Sequence, residues 1–324
     1  MRHRIVFGAA AIVMAAADDL HGQCAGAVAT QQACKASVDL VNYMTPQLAT
    51  SIAAGSSTLG QSGVLGGLGR FALSVRATAV INGAIPDVAD RPFRIDGAPA
   101  SYTTTKQIIP GVGVDGSIGI TKGLNVGATR VGGIDVLVSA LYMPEADLGD
   151  FSLRAPDGSL KLGYGVRVGL LEESVVSPGL YVSYLQRDLP TITLSGSSGT
   201  STGAGTASGT FSLNEFSVKT NAIRLVAAKG LGFLSFQAGV GQDTYKASAG
   251  VSATVNGQST TGMADMKMTR NNVFAGAMIS FVVFKIVAEA GQVMGGSLAA
   301  PFNTFDKKAD ESRTYLSGGI RIAF

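Results

Sequence analysis

The sequence predicts an all-β fold, an antiparallel transmembrane β-barrel of about ten to twelve strands with a short helical N-terminal segment. Three observations carry that prediction. Apolar residues alternate with period two along most of the chain, and no run approaches the ~18–20 apolar residues of a membrane-spanning helix. Connections between the alternating segments are short on one side and long and polar on the other. The last eight residues, SGGIRIAF, form one more alternating strand that ends on Phe324, where a chain terminus would ordinarily fray.

Composition agrees with this. Glycine contributes 43 of 324 residues, roughly twice the ~7% average usage. Charged residues make up 15%, against an ordinary ~25%. Mean hydropathy is +0.30. A chain this apolar without an apolar helix has to spread its hydrophobic residues over one face of many strands, as a closed barrel in lipid does.

Residues 1–17 read as a secretory signal. The basic MRHR precedes the apolar IVFGAAAIVM, and Ala15, Ala16 and Ala17 supply small residues before a cut. Loss of Arg2 and Arg4 leaves 23 basic against 22 acidic residues, so nothing points to nucleic acid. Cys24 and Cys34 are the only cysteines. In an oxidising compartment they predict one local disulfide, and without a histidine cluster they make no metal site.

Residues 18–68 form an N-terminal segment, periplasmic or partly plugging the lumen. Val38, Val41, Leu48 and Ile52 recur at helical spacing and Pro46 interrupts them, which predicts one or two short helices. A glycine-rich stretch, GSSTLGQSGVLGGLG, then leads to the barrel, residues 69–324.

From Arg70 onward the period is two. Phe71, Leu73 and Val75 oppose Ser74, Arg76 and Thr78; Val112, Val114, Ile118 and Ile120 oppose Asp115 and Ser117; Leu160, Leu162, Tyr164 and Val166 oppose Lys161 and Arg167. Further strands are expected at 133–143, 179–194, 211–228, 231–249, 264–281, 284–295 and 312–324, and 83–109 is long enough for one more hairpin. Links at 122–132, 172–178, 229–230 and 282–283 are mostly tight. Those at 83–109, 144–158, 195–210, 250–263 and 296–311 are long and rich in Ser, Thr, Gly and Asp. The absence of Trp predicts thin interfacial girdles.

The final GIRIAF resembles the C-terminal β-signal of bacterial outer-membrane proteins in its Gly319, Ile322 and Phe324. That resemblance implies export past periplasmic chaperones and recognition by the barrel-assembly machinery. The segments VNYMTPQLATSIAAG, GRFALSVRATAVINGAIPDV, GSIGITKGLNVGATRVGGIDVLVSALYMP, GYGVRVGLLEE and LYVSYLQRDLP resemble a family of uncharacterised outer-membrane proteins. More distantly, their layout is similar to that of the long-chain fatty acid transporter barrels. The resemblance implies the outer membrane, with its lipid and lipopolysaccharide, as the protein's setting.

Catalytic chemistry has little to work with. His3 falls in the signal and His21 in the N-terminal tail, so no histidine base reaches the barrel, and no enzyme or cofactor is expected. GVGVDG, residues 111–116, lies inside an alternating strand and not in a strand-to-helix turn. The acidic stretches PEAD and DKKADE read as solvated loop charges. Of the inward-facing residues, Arg76, Asp115, Asp135, Lys161 and Arg167 belong to the first half of the barrel, and Lys219, Lys285, Glu289 and Arg321 to the second. These nine either pair with one another and fill the lumen or line an aqueous path. The leading expectation is passive passage of small molecules, hydrophobic ones among them, with Val38, Tyr43 and Leu48 gating or lining the route. The alternative is a closed structural or surface-interaction barrel.

Overall fold

The computed structural model describes residues 24–55, 63–88, 91–127, 129–143, 145–148, 151–200 and 203–324. The expected signal and His21 lie outside them. Ten strands build the wall: β1 Phe71–Pro86, β2 Thr104–Thr121, β3 Gly133–Tyr142, β4 Leu160–Leu171, β5 Gly179–Asp188, β6 Gly209–Leu231, β7 Leu234–Val255, β8 Gln258–Ser280, β9 Lys285–Val293 and β10 Arg313–Ala323. Each pairs antiparallel with its sequence neighbour. β10 closes the ring on β1, from Ala323 opposite Ala72 to Thr314 opposite Ile81. Closure leaves the wall without an unpaired edge, which hydrocarbon would not solvate.

The wall is apolar outside and polar inside. Phe71, Leu73, Val75, Val112, Val114 and Leu162 lie exposed on the outer face, while Ser74, Arg76, Asp115, Asp135 and Arg167 are buried within. Such an exterior suits lipid and not water. Phenylalanines gather at the end of the barrel that carries the chain terminus. Phe71 stacks on Phe324 at 4.9 Å and Phe281 on Phe284 at 4.8 Å, with Phe233 and Phe236 exposed nearby. Tyr142, Tyr164 and Tyr184 are exposed on the same outer face nearer the opposite end. Phenylalanine and tyrosine thus take the interfacial positions that tryptophan often fills.

Three expectations need correction. The strands β6, β7 and β8 are 23, 22 and 23 residues long, so most of the supposed loop 250–263 is strand. Its turn is Asn256–Gly257, both at positive φ (51° and 75°), the tight hairpin that an Asn-Gly pair favours. The segments Ile192–Ser197, Phe151–Arg154 and Ala146–Leu148 extend this sheet sideways from β6. Among its described residues, region 83–109 adds no further hairpin to the wall; its ends prolong β1 and β2, and between them lie two-residue ladders at 93–94 and 101–102. Lastly, the N-terminal segment is a single helix, α1 Val28–Ala53, with Pro46 inside it. A mid-helix proline costs about 3 kcal/mol. Here the helix is buried along most of its length and touches β1, β2, β5, β6, β7, β8 and β10, so the surrounding wall holds it together. It occupies the lumen.

Candidate functional site

The site is the seat of α1 within the barrel, and three tiers hold it. At the loop end, Cys24 and Cys34 form the expected disulfide, with Cα atoms 5.9 Å apart. Cys24–Ala25 adds a short strand against Thr261–Gly262 of β8. Asp39 on the helix accepts from the backbone N–H groups of Phe302 (3.2 Å) and Asn303 (2.8 Å) and from the Asn303 amide (2.8 Å). Gln32 donates to Asn303 Oδ1 (3.1 Å) and Tyr102 Oη (3.0 Å). The Tyr43 hydroxyl donates to the Lys307 carbonyl at 3.1 Å. Burial raises the Asp39 carboxyl above its ordinary value despite its three donors, and pushes the Tyr43 phenol up to about 12.

In the middle tier, Gln47 meets the β1 backbone with both ends of its amide. It donates to Ala84 O at 2.8 Å and accepts from Ala84 N at 2.7 Å. The β1–β2 register shifts between Val80 and Gly83, where Asn82 adopts φ 57°. This bulge turns the Ala84 backbone groups toward the lumen. Around both tiers a continuous apolar core joins Val38, Leu40 and Val41 of the helix to Phe211, Leu213 and Phe216 of β6.

The third tier receives the C-terminus of the helix. A helix leaves its last carbonyls without intrahelical partners and carries partial negative charge there. Three wall arginines supply both donors and positive charge. Arg76 Nη1 donates to Ala54 O at 2.7 Å, Arg224 Nη2 to Ala53 O at 2.8 Å, and Arg187 Nη1 to Gly55 O at 3.2 Å. Two aspartates offset two of the three charges. Asp115 accepts from Arg76 Nε (2.9 Å) and Arg187 Nη2 (3.0 Å); Asp243 accepts from Arg224 Nη2 (3.1 Å) and from the Asn272 amide (2.8 Å). Alongside, Arg167 pairs with Asp135 (Nε to Oδ2 2.9 Å), which also accepts from Leu65 N at 3.1 Å.

Of the nine inward positions expected, Arg76, Asp115, Asp135 and Arg167 fall in this layer. Arg321 is also buried and donates to Ser117 at 3.3 Å. Glu289 accepts from Gln237 and Tyr315, each at 2.9 Å. Lys161 is exposed at the loop end of β4, and Lys285 is half-buried at the first residue of β9. Lys219 is a correction: it is exposed, and its neighbours Val218 and Thr220 are the buried ones. Choosing Lys219 for the inner face hid Arg224, five residues on and of opposite parity. The exposed apolar Ile223 and Leu225 that flank Arg224 were the available signal for the correct phase. Arg187 and Asp243 were also missed, although each alternates with outward-facing neighbours. Val38 and Tyr43 are buried in the plug and Leu48 is partly buried.

No family model and no curated protein matches the sequence, so the likeness to long-chain fatty acid transporters has no match behind it. Solved structures similar to this chain include three outer-membrane barrel proteins. Neisserial surface protein A shares 8% identity over 79% of this chain and 97% of its own, with a TM-score of 0.28. Ail, the attachment invasion locus protein of Yersinia pestis, shares 13% over 79% and 99%, with a TM-score of 0.26. The Pseudomonas putida toluene transporter TodX shares 12% over 84% and 97%, with a TM-score of 0.32.

Proposed function

We propose that this chain is an outer-membrane barrel held shut by its own N-terminal helix, acting as a structural or surface-interaction barrel and not as an open channel. The observation that carries this reading is the seating of the carbonyls at the end of α1 on Arg76, Arg187 and Arg224, three strands' worth of wall, with Asp115 and Asp243 offsetting most of their charge. Inward charges that bind one another and a plug fill space; they do not line a water path. The surface contribution comes from β6–β8 and the strands that widen their sheet beyond the membrane. Assembly would use the barrel-assembly machinery and periplasmic chaperones, through Gly319, Ile322 and Phe324. No enzymatic role is proposed.

Passive passage of small molecules, including hydrophobic ones, would require α1 to shift or leave. Single-channel recording of the refolded protein in a planar bilayer separates the two readings. Persistent silence from folded protein supports the closed barrel. Discrete current steps from the unaltered protein would overturn it in favour of passage.

A further inference from the structure

Lys219, Lys246 and Lys267 stand abreast on the outside of the barrel. Lys219 of β6 is directly opposite Lys246 of β7, and Lys246 directly opposite Lys267 of β8. All three are exposed. Neighbouring strands lie ~4.8 Å apart, so the three positions fall within about 10 Å. Like charges directly opposite on a sheet repel. The flanking acid in the row is Asp188, opposite Lys219 and held by the Gln186 amide at 3.3 Å. Asp265, exposed two residues from Lys267 on the same face, is a second carboxylate nearby, so three ammonium groups beside two carboxylates leave the stripe one net positive charge.

The height of the stripe is fixed by the register. Leu225, Val240 and Val273 form an apolar row on the same outer face. Two steps up, the row Asn221, Thr244 and Thr269 is polar. The lysines form the next row. They sit six residues beyond the apolar row, about 15 Å along the axis at a strand tilt of ~40°. Their flexible stems can reach back toward the interface. A cationic row just above the hydrocarbon on the loop side faces the polar heads of the outer leaflet.

We propose that Lys219, Lys246 and Lys267 form a binding site for a phosphorylated glycolipid headgroup of the outer leaflet. The spacing suits a headgroup bearing two or more phosphates, each of which can bridge adjacent ammonium groups and relieve their repulsion. This rests on the membrane placement proposed above. Membrane fractionation tests that placement separately: a soluble protein would remove the placement, whereas loss of the site alone leaves the protein in the membrane fraction.

The experiment is retention of lipid by the folded full-length barrel. Protein in detergent is incubated with a bisphosphorylated diglucosamine lipid, or with the same lipid after phosphatase treatment, and bound lipid is counted by native mass spectrometry. A lysine at a charged surface contributes roughly fivefold, so K219Q/K246Q/K267Q should lose roughly a hundredfold in affinity. The triple arginine variant should retain binding, and K106Q should behave as the unaltered protein. Equal retention of the phosphatase-treated lipid, or unchanged binding by the triple glutamine variant, would overturn the proposal. So would equally tight binding of soluble tripolyphosphate or a sulfated polysaccharide, which would reassign the stripe to a soluble polyanion.

Discussion

Arg187 holds Asp115 with one guanidinium nitrogen, Nη2 to Oδ1 at 3.0 Å, while its other terminal nitrogen reaches the carbonyl of Gly55 at 3.2 Å. One side chain thereby ties the barrel wall to the end of the plug. Asp115 in turn holds Arg76, which binds Ala54, so a single carboxylate orients two of the three cations that seat the helix.

Asp115→Asn is therefore expected to destabilise the folded barrel by about 3–5 kcal/mol, the range for leaving buried partners uncompensated. Both arginines would remain inside with no full counter-charge. Urea unfolding in detergent micelles measures this, and a loss below 1 kcal/mol would show that the pair is replaceable.

The double variant R187A/R224A removes two of the three donors from the helix end and leaves Arg76 in place. Planar bilayers should show intermittent current steps for this variant and silence for the unaltered protein. An equally silent, folded double variant would show that the apolar packing around Val38, Leu40 and Val41 closes the lumen without the arginines.

Cys24→Ser with Cys34→Ser opens the disulfide loop at the outer mouth. Loss of such a crosslink typically costs about 2–4 kcal/mol, and the effect should appear as a lowered melting temperature and faster proteolysis near Val28. The unaltered protein under reductant should behave like the variant.

Acidity should tighten the latch between α1 and the 302–303 turn. Burial raises the Asp39 carboxyl above 3.8, so folding favours its protonated form. That contribution is complete below the unfolded value near 3.8 and is lost as pH rises through the higher folded value. Asp39→Asn, neutral at every pH, should flatten this part of the stability profile and match or exceed the unaltered protein at neutral pH. A profile unchanged by the substitution would show that Asp39 does not titrate in this window.

Phe324→Ala removes the ring stacked on Phe71 but keeps the backbone pair in which each residue's N–H meets the other's carbonyl, at 2.9 and 3.2 Å. The expected stability loss is small, about 0.5–1.5 kcal/mol. The yield of barrel in the outer membrane should fall much further, because recognition of the terminal strand would fail. Comparable losses in refolding and in cells would argue against an assembly signal.

All ten wall strands were legible in the sequence because alternation is local. A residue facing lipid and its neighbour facing the lumen differ in polarity, whatever lies across the barrel. Leu73 beside Ser74, and Ile320 beside Arg321, declare their faces unaided. The disulfide was legible because Cys24 and Cys34 had no other partners. Local phase failed near Lys219, where the β6–β7 register shifts between Asn214 and Ser217 and Glu215 takes φ 52°. Alternation counted through such a bulge slips by one, and the long polar strand ends above the apolar rows offer no hydrophobic signal to reset it.

By itself, then, the sequence determined a lipid-facing barrel, its strand order and part of the charge of its inner face, Arg76, Asp115, Asp135 and Arg167 among it. Only the tertiary structure decided what those charges do. Gln47 finds Ala84, and Arg76, Arg187 and Arg224 find the end of α1, across separations of 22 to 171 residues. No local pattern encodes such encounters, because a carbonyl at a helix end looks the same in sequence whether water or an arginine meets it. The physical reason is that backbone groups inside a membrane barrel must find partners within the protein, and the wall's register and curvature choose which ones.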